Sequence, residues 1–213
     1  MTKIYLLRNV LYIIGSMLIF FSGIIVYGII LNLREQSLNE ILQEKNLDQL
    51  KNVTILVDRK NYKLELLSDS TFVKSYNVVF GRNNNSNKIS KNDYITPTGT
   101  YFICRVDTNH VYYKKLFLDY PNLNDAAEAL KENIITQKEF KNIANSLKKN
   151  NTPFAETNLG AEIGIQGTGE YNIIFKNLPF VFNWTNGSVA LSNENIDELL
   201  TVVKVGTKVT IKN

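Results

Sequence analysis

The alternation of apolar and polar positions divides the chain into a long apolar run, a short amphipathic stretch and a β-rich body. From Val10 to Leu31 no side chain is charged and most are Ile, Leu, Val, Phe or Tyr. As a helix rising ~1.5 Å per residue, this run is long enough to cross a ~30 Å hydrocarbon core. The competing reading, a cleaved secretory signal, has an apolar stretch of only ~7–15 residues followed by a small-residue cleavage site, and no such site follows Leu31. A transmembrane helix over 10–31 is the expectation. Next, Leu38, Ile41 and Leu42 fall at i, i+3 and i+4 among Gln, Asn and Glu, the spacing of a short amphipathic helix. It reads as a juxtamembrane stalk over 32–51.

Beyond it the period shortens to two. Val53 to Val57, Tyr62 to Leu67 and Phe72 to Phe80 are β-rich runs broken by Asp58-Arg59-Lys60-Asn61 and Ser68-Asp69-Ser70, which predicts a β-meander. The polar run Gly81 to Asp93 reads as a mobile loop. It leads to Thr96-Pro97-Thr98-Gly99-Thr100, a tight turn ahead of a strand from Tyr101 to Val106. Over 124–150 the period becomes helical, with Thr136 and Glu139 as a capping box and Phe140, Ile143, Ala144 and Leu147 on one face. This insertion could serve as a lid or as the cover of a sheet face; the pattern leaves both open. Asn193 is placed to cap a helix bearing Ile196, Leu199, Leu200 and Val203, stopped by Gly206 before a strand from Lys208 to Ile211. The fold class expected for 52–213 is mainly β with a helical insertion.

Composition narrows the chemistry. The 213 residues are 44% hydrophobic, enough for one core-forming domain and an appendage. A net charge of +4 without any block of Lys or Arg gives no nucleic-acid footprint. Lys3, Arg8 and the amino terminus precede the apolar run, whereas Arg34 after it is offset by Glu35. The positive-inside bias then puts residues 1–9 in the cytoplasm and the body outside. One cysteine and one histidine exclude an internal disulfide, a thiolate zinc cluster and a His-rich metal site. Neither a metal nor a cofactor is expected. Cys104, in Tyr101-Phe102-Ile103-Cys104, reads as a core cysteine, and His110 as a strand-end or loop residue with a functional role left open.

Two C-terminal stretches carry the most information: Ile163-Gly164-Ile165-Gln166-Gly167 and Asn183-Trp184-Thr185-Asn186-Gly187-Ser188-Val189-Ala190-Leu191-Ser192-Asn193. Together they resemble the active-site signature of the L,D-transpeptidase catalytic-domain family, bacterial enzymes that join peptidoglycan stem peptides through a cysteine acyl-enzyme. The Thr-Pro-Thr-Gly-Thr turn is a second point of likeness. The resemblance implies an L,D-transpeptidase-type β-sandwich or barrel, stem peptides as the partner, and a site in which Gly187, Gly167, Thr185 and Asn186 supply oxyanion or substrate contacts. It also exposes a departure. The family reads Ile-His-Gly and Gly-Cys where this chain has Gln166 and Ser188. A glutamine amide cannot take a proton at neutral pH, and a serine hydroxyl is far less acidic than a thiol. Losing nucleophile and base together costs roughly 10⁶ in turnover in acyl-transfer enzymes built on such a pair. One reading is a peptidoglycan-binding pseudoenzyme. The other is a Ser188-dependent transpeptidase or carboxypeptidase working by an altered mechanism.

Overall fold

The computed structural model describes residues 2–33, 35–47, 49–84, 88–150, 153, 157–177 and 182–213. Arg34, residues 85–87 of the polar run and the Lys3 side chain lie outside the described residues, so the charge balance across the first helix does too. That helix, α1, runs Thr2–Leu33. Its Ile4–Ile30 portion, with mean hydropathy 2.4, is long and apolar enough to cross a bilayer.

The body is one mixed sheet of eight strands in the order β3-β2-β1-β8-β4-β5-β6-β7. The meander forms as the alternation predicts: β1 (Thr54–Asp58), β2 (Lys63–Ser68) and β3 (Thr71–Asn77) pair antiparallel. Inward Ile55, Val57, Leu64 and Leu66 are buried while their neighbours are only partly covered. The C-terminal strand β8 (Lys208–Lys212) inserts parallel to β1 and antiparallel to β4 (Gly99–His110). Strand β4 outruns the expected 101–106 and turns at Val111-Tyr112 into β5 (Tyr113–Leu118), a strand that Lys114 and Lys115 hide from a hydrophobicity reading. Two short strands, β6 (Gly164–Gln166) and β7 (Val189–Ala190), complete the order. The sheet does not end in two free edges. Val79, just past β3, exchanges both backbone hydrogen bonds with Ala190 of β7 at 2.9 Å each, so the first and last strands are tied together.

Helix α2 (Leu38–Glu44) comes between α1 and the sheet, and residues 124–150 resolve into two helices. The first, α3 (Leu123–Lys131), is capped by Asn122 with Asp125; the second, α4 (Gln137–Asn150), uses the Thr136–Glu139 box, with hydrogen bonds of 2.8 and 3.2 Å. Short α5 (Asn172–Asn177) follows β6, and α6 (Asn193–Val202) follows β7. Ile196 and Leu199 of α6 are fully buried with Tyr101, Ile103, Leu116, Ile165 and Val189. Each such side chain contributes about 1.5–3 kcal/mol of apolar burial. The cap of α6 is Ser192, whose hydroxyl accepts from Asn195 N–H at 3.2 Å. Asn193, expected to be the cap, is the first helical residue, which releases its side chain for another contact.

The segment expected to be a stalk is docked. Ser37 caps α2 in a capping box with Glu40, and Leu38 is buried in the core. Glu198 of α6 accepts from Leu38 N–H at 3.0 Å and from Lys74 Nζ at 2.6 Å, and the same ammonium donates to Gln36 O at 2.7 Å. Lys74 is 4% exposed and Glu198 22%. Removing one partner of such a buried pair strands the other charge. Glu198→Ala is therefore expected to cost about 3 kcal/mol and to open 35–45 to protease, seen as a lower thermal midpoint and a new cleavage before α2.

Candidate functional site

Strands β5, β6 and β7 set the two signature stretches side by side. Gln166 pairs with Lys115 on one side and, in parallel register, with Ala190 on the other. Successive side chains alternate faces, so Ser188, two residues before Ala190, shares a face with Gln166, Gly164, Lys115 and Phe117. Ser188 is 6% exposed, and its Oγ accepts from Gly164 N–H at 3.3 Å. Gln166 is buried on that face, and its carbonyl accepts from Leu191 N–H at 3.1 Å.

The turn into Ser188 is locked by Thr185. Its hydroxyl donates to Ser188 O and accepts from Gly187 N–H at 3.2 Å. Gly187 has φ +112, and a Cβ there would lie 2.7 Å from Ile95 O and 2.9 Å from the Ile163 side chain, so only glycine fits. Gly187 N–H, an expected oxyanion donor, is thus engaged inside the turn. Gly167 N–H is engaged too, donating to Lys114 O at 3.0 Å, and a Cβ on Gly167 would meet Asn193 Oδ1 and Tyr112 O at 2.8 Å. Both glycines shape the backbone here rather than offering a free donor. Asn186 is exposed and accepts from Arg82 Nη2 at 2.8 Å, with the guanidinium 4.1 Å from the Tyr94 ring centroid. Trp184 is a packed indole, as its turn suggests, between Tyr112 at 5.2 Å and Tyr171 at 5.9 Å.

Asn193 holds the loop after β6. Its Oδ1 accepts from Thr168 and Gly169 N–H groups, both at 3.0 Å, and its Nδ2 donates to Gly169 O at 3.0 Å. Asn172 Oδ1 accepts from Asn193 N–H at 2.8 Å. The two stretches are therefore one unit: a pair of short strands, a glycine turn behind the serine and an asparagine clamp.

A profile of the L,D-transpeptidase catalytic domain (YkuD) matches residues 52–211. The chain belongs to the L,D-transpeptidase catalytic-domain family. Comparison with curated protein sequences gave no match. Among solved structures, the chain is similar to an L,D-transpeptidase from Xylanimonas cellulosilytica, with 11% identity and a TM-score of 0.45 over 78% of this chain and 62% of that one. It is also similar to an L,D-transpeptidase from Mycobacterium tuberculosis, with 10% identity and a TM-score of 0.44 over 76% and 58%. A third is the helical cell shape determining protein Pgp2 from Campylobacter jejuni, with 16% identity and a TM-score of 0.47 over 76% and 47%. The chain spans less than two thirds of the length of each.

Within this L,D-transpeptidase domain, Cys104 and His110 are the two other groups with acyl-transfer chemistry. Cys104 sits half-buried at the β4 bulge, and burial with nearby Asp119 pushes its thiol up, away from the thiolate. His110 ends β4, and its Nδ1 accepts from Tyr112 N–H at 3.2 Å. Burial and the neighbouring Lys115 ammonium hold it below the ordinary histidine value. Among the described residues no group of three His, Cys, Asp or Glu is placed to hold a metal ion. A small hollow bordered by Pro97, Tyr120 and Asp125 shares no residue with the signature face.

The residue that sequence reasoning missed is Lys115. It is 7% exposed, and among the described residues its ammonium has no hydrogen-bond or ion-pair partner. Its Nζ lies 5.0 Å from the Phe117 ring centroid, with Arg105 stacked on the same ring at 3.7 Å. Burial brings its pKa down to about 8, with Arg105 adding to the effect and Glu162 and Asp107 opposing it. The folded-state value lies below the ordinary 10.5, so the lysine is tolerated best where it is neutral. As pH falls from about 10.5 the unfolded chain gains a proton that the native state resists, and below about 8 the full penalty is present. At pH 7, Lys115→Met is expected to stabilise the protein by about 2–3 kcal/mol. That gain should shrink between pH 8 and 10.5 in denaturant titrations.

Proposed function

We propose that this is a membrane-anchored, L,D-transpeptidase-fold protein that binds peptidoglycan stem peptides outside the cytoplasmic membrane, with the family's cysteine-based transpeptidation lost or strongly reduced. Supporting the location are the α1 span, long and apolar enough for a bilayer, and the positive residues Lys3 and Arg8 ahead of its core. Supporting the ligand is the family itself, together with the buried face shared by Ser188, Gln166 and Ala190 and the ring contacts of Trp184 with Tyr112 and Tyr171. The observation that carries the loss of activity is the position of Gln166. It lies buried on the face of Ser188, where the family places its histidine, and an uncharged amide there cannot accept the nucleophile's proton.

A second reading, turnover through Ser188, is favoured by Lys115, a buried amine on the same face. The two readings separate experimentally. With the full chain in detergent, tetrapeptide-bearing muropeptides are expected to bind saturably on either reading, and released D-alanine and cross-linked dimers, followed by mass spectrometry, are absent or scarce on the first and Ser188-dependent on the second. Installing the family pair as Ser188→Cys with Gln166→His is expected to raise acyl transfer by several orders of magnitude. A folded double variant that stays inert would show that the groove no longer fits stem peptides.

A further inference from the structure

We propose that Lys115 is the proton acceptor for Ser188, so that this groove forms a serine acyl-enzyme in place of the family's cysteine one. The inference rests on the second reading above, turnover of stem peptides through Ser188, and deepens it. It starts from the register: Lys115, Gln166 and Ala190 form one row across β5, β6 and β7, and Phe117, Gly164 and Ser188 share the next, because residue pairs offset by two stay on one face. Two strand spacings of about 4.8 Å and a two-residue offset put the Cα atoms of Lys115 and Ser188 roughly 12 Å apart. Gly164 lies between them. A Cβ on Gly164 would come within 3.0 Å of Lys115 Cε, and Ser188 Oγ is 3.3 Å from Gly164 N. The lysine stem therefore crosses the one position on β6 that has no side chain, in the direction of the serine.

Lys115 is 7% exposed, and among the described residues its Nζ has no hydrogen-bond or ion-pair partner and rests against the Phe117 ring; perturbed, unpaired groups of this kind cluster at functional sites. The groups facing Lys115 are Arg105 and Asp107 from β4, His110 at the end of that strand, and Glu162 ahead of β6. Arg105 shares the Phe117 face and discourages a second positive charge, which favours the neutral amine that a base requires. A serine hydroxyl needs a stronger base than a thiol does, and lysine depressed by burial supplies one near neutrality. Pairs of serine with lysine do this work on unrelated folds.

The proposed step balances. Neutral Lys115 Nζ takes the Ser188 hydroxyl proton as the Oγ–C bond forms at the amide carbonyl before the terminal residue. The C–N bond of that amide then breaks, the ammonium returns the proton to the leaving nitrogen, and an ester remains on Ser188. Water, or an amine on a second stem, takes the acyl group. Bound substrate shortens distances that are long in the free site.

The test uses the full chain in detergent and a fluorophosphonate probe, read by intact mass and peptide mapping from pH 6 to 10. Expected are a single adduct on Ser188 and a labelling rate that climbs about tenfold per pH unit and levels off above about 8. Lys115→Met and Lys115→Arg should both slow labelling by about 10²-fold or more, and Ser188→Ala should abolish it. The arginine variant decides the role, because it keeps the charge that would attract a substrate carboxylate and loses the base. Labelling preserved in Lys115→Arg, absent from wild type, or rising with pH without a plateau would overturn the proposal. The methionine variant is expected to be the more stable protein at pH 7, so its loss of labelling would not report unfolding. Muropeptide binding by the same samples keeps the two readings apart. Binding without labelling removes the base and leaves the groove, whereas labelling without binding leaves the base and removes the stem-peptide reading.

Discussion

The placement of Gln166 beside Ser188 depends on the parallel pairing of β6 with β7, which is only two residue pairs long. A ladder that short does not hold itself together. Its support comes from outside the pair: Val79 bonds Ala190 from the far end of the sheet, Leu191 N–H reaches Gln166 O, and Asn193 grips the loop that leaves β6. Through these contacts the meander, which carries none of the signature residues, determines where Ser188 sits relative to Gln166. Thr185 and Gly187 add the last constraint by turning the chain sharply behind the serine.

Packing and electrostatics pull in opposite directions on this face. Apolar burial around Ile165, Val189 and Leu116 fixes the three strands, and the same exclusion of water leaves Lys115 in surroundings that disfavour its charge. Glu162 and Asp107 offset part of that effect without forming an ion pair with it. The fold thus tolerates a strained ionisation state beside its serine, while burial also pushes the Cys104 thiol up and holds His110 below the ordinary histidine value. Local instability of this kind is sustained by the rest of the core.

Much of the fold was legible from the chain because its signals are short-range. The meander, the Thr-Pro-Thr-Gly-Thr turn, the Thr136–Glu139 box and the apolar face of α6 each depend on neighbours within a few residues. Strand β5 was not legible, since Lys114 and Lys115 interrupt its alternation and only pairing with β4 and β6 defines it. Missing that strand also concealed Lys115, which is expected in water by residue type and is buried here only because Phe117, Gly164 and the β4 side chains surround it. The capping assignment slipped by one residue for a related reason. Ser192 and Asn193 can both cap, and the choice follows from Asn193 having a tertiary acceptor and donors to satisfy across the loop. The positions of Gln166 and Ser188 were readable as sequence likeness; that their faces coincide is a property of register.

The docking of α2 has a consequence for reach. Glu35 is already bonded to Asn195, and Gln36 to Lys74, so almost no slack chain separates the end of α1 at Leu33 from the body. One residue of extended backbone spans at most about 3.6 Å. With α1 in a bilayer, the groove would work at a set height above the lipid, as a ruler does, and would meet only the strands of polymer lying closest to the membrane. A protein tethered in this way would sample a thin slab of wall rather than its full depth.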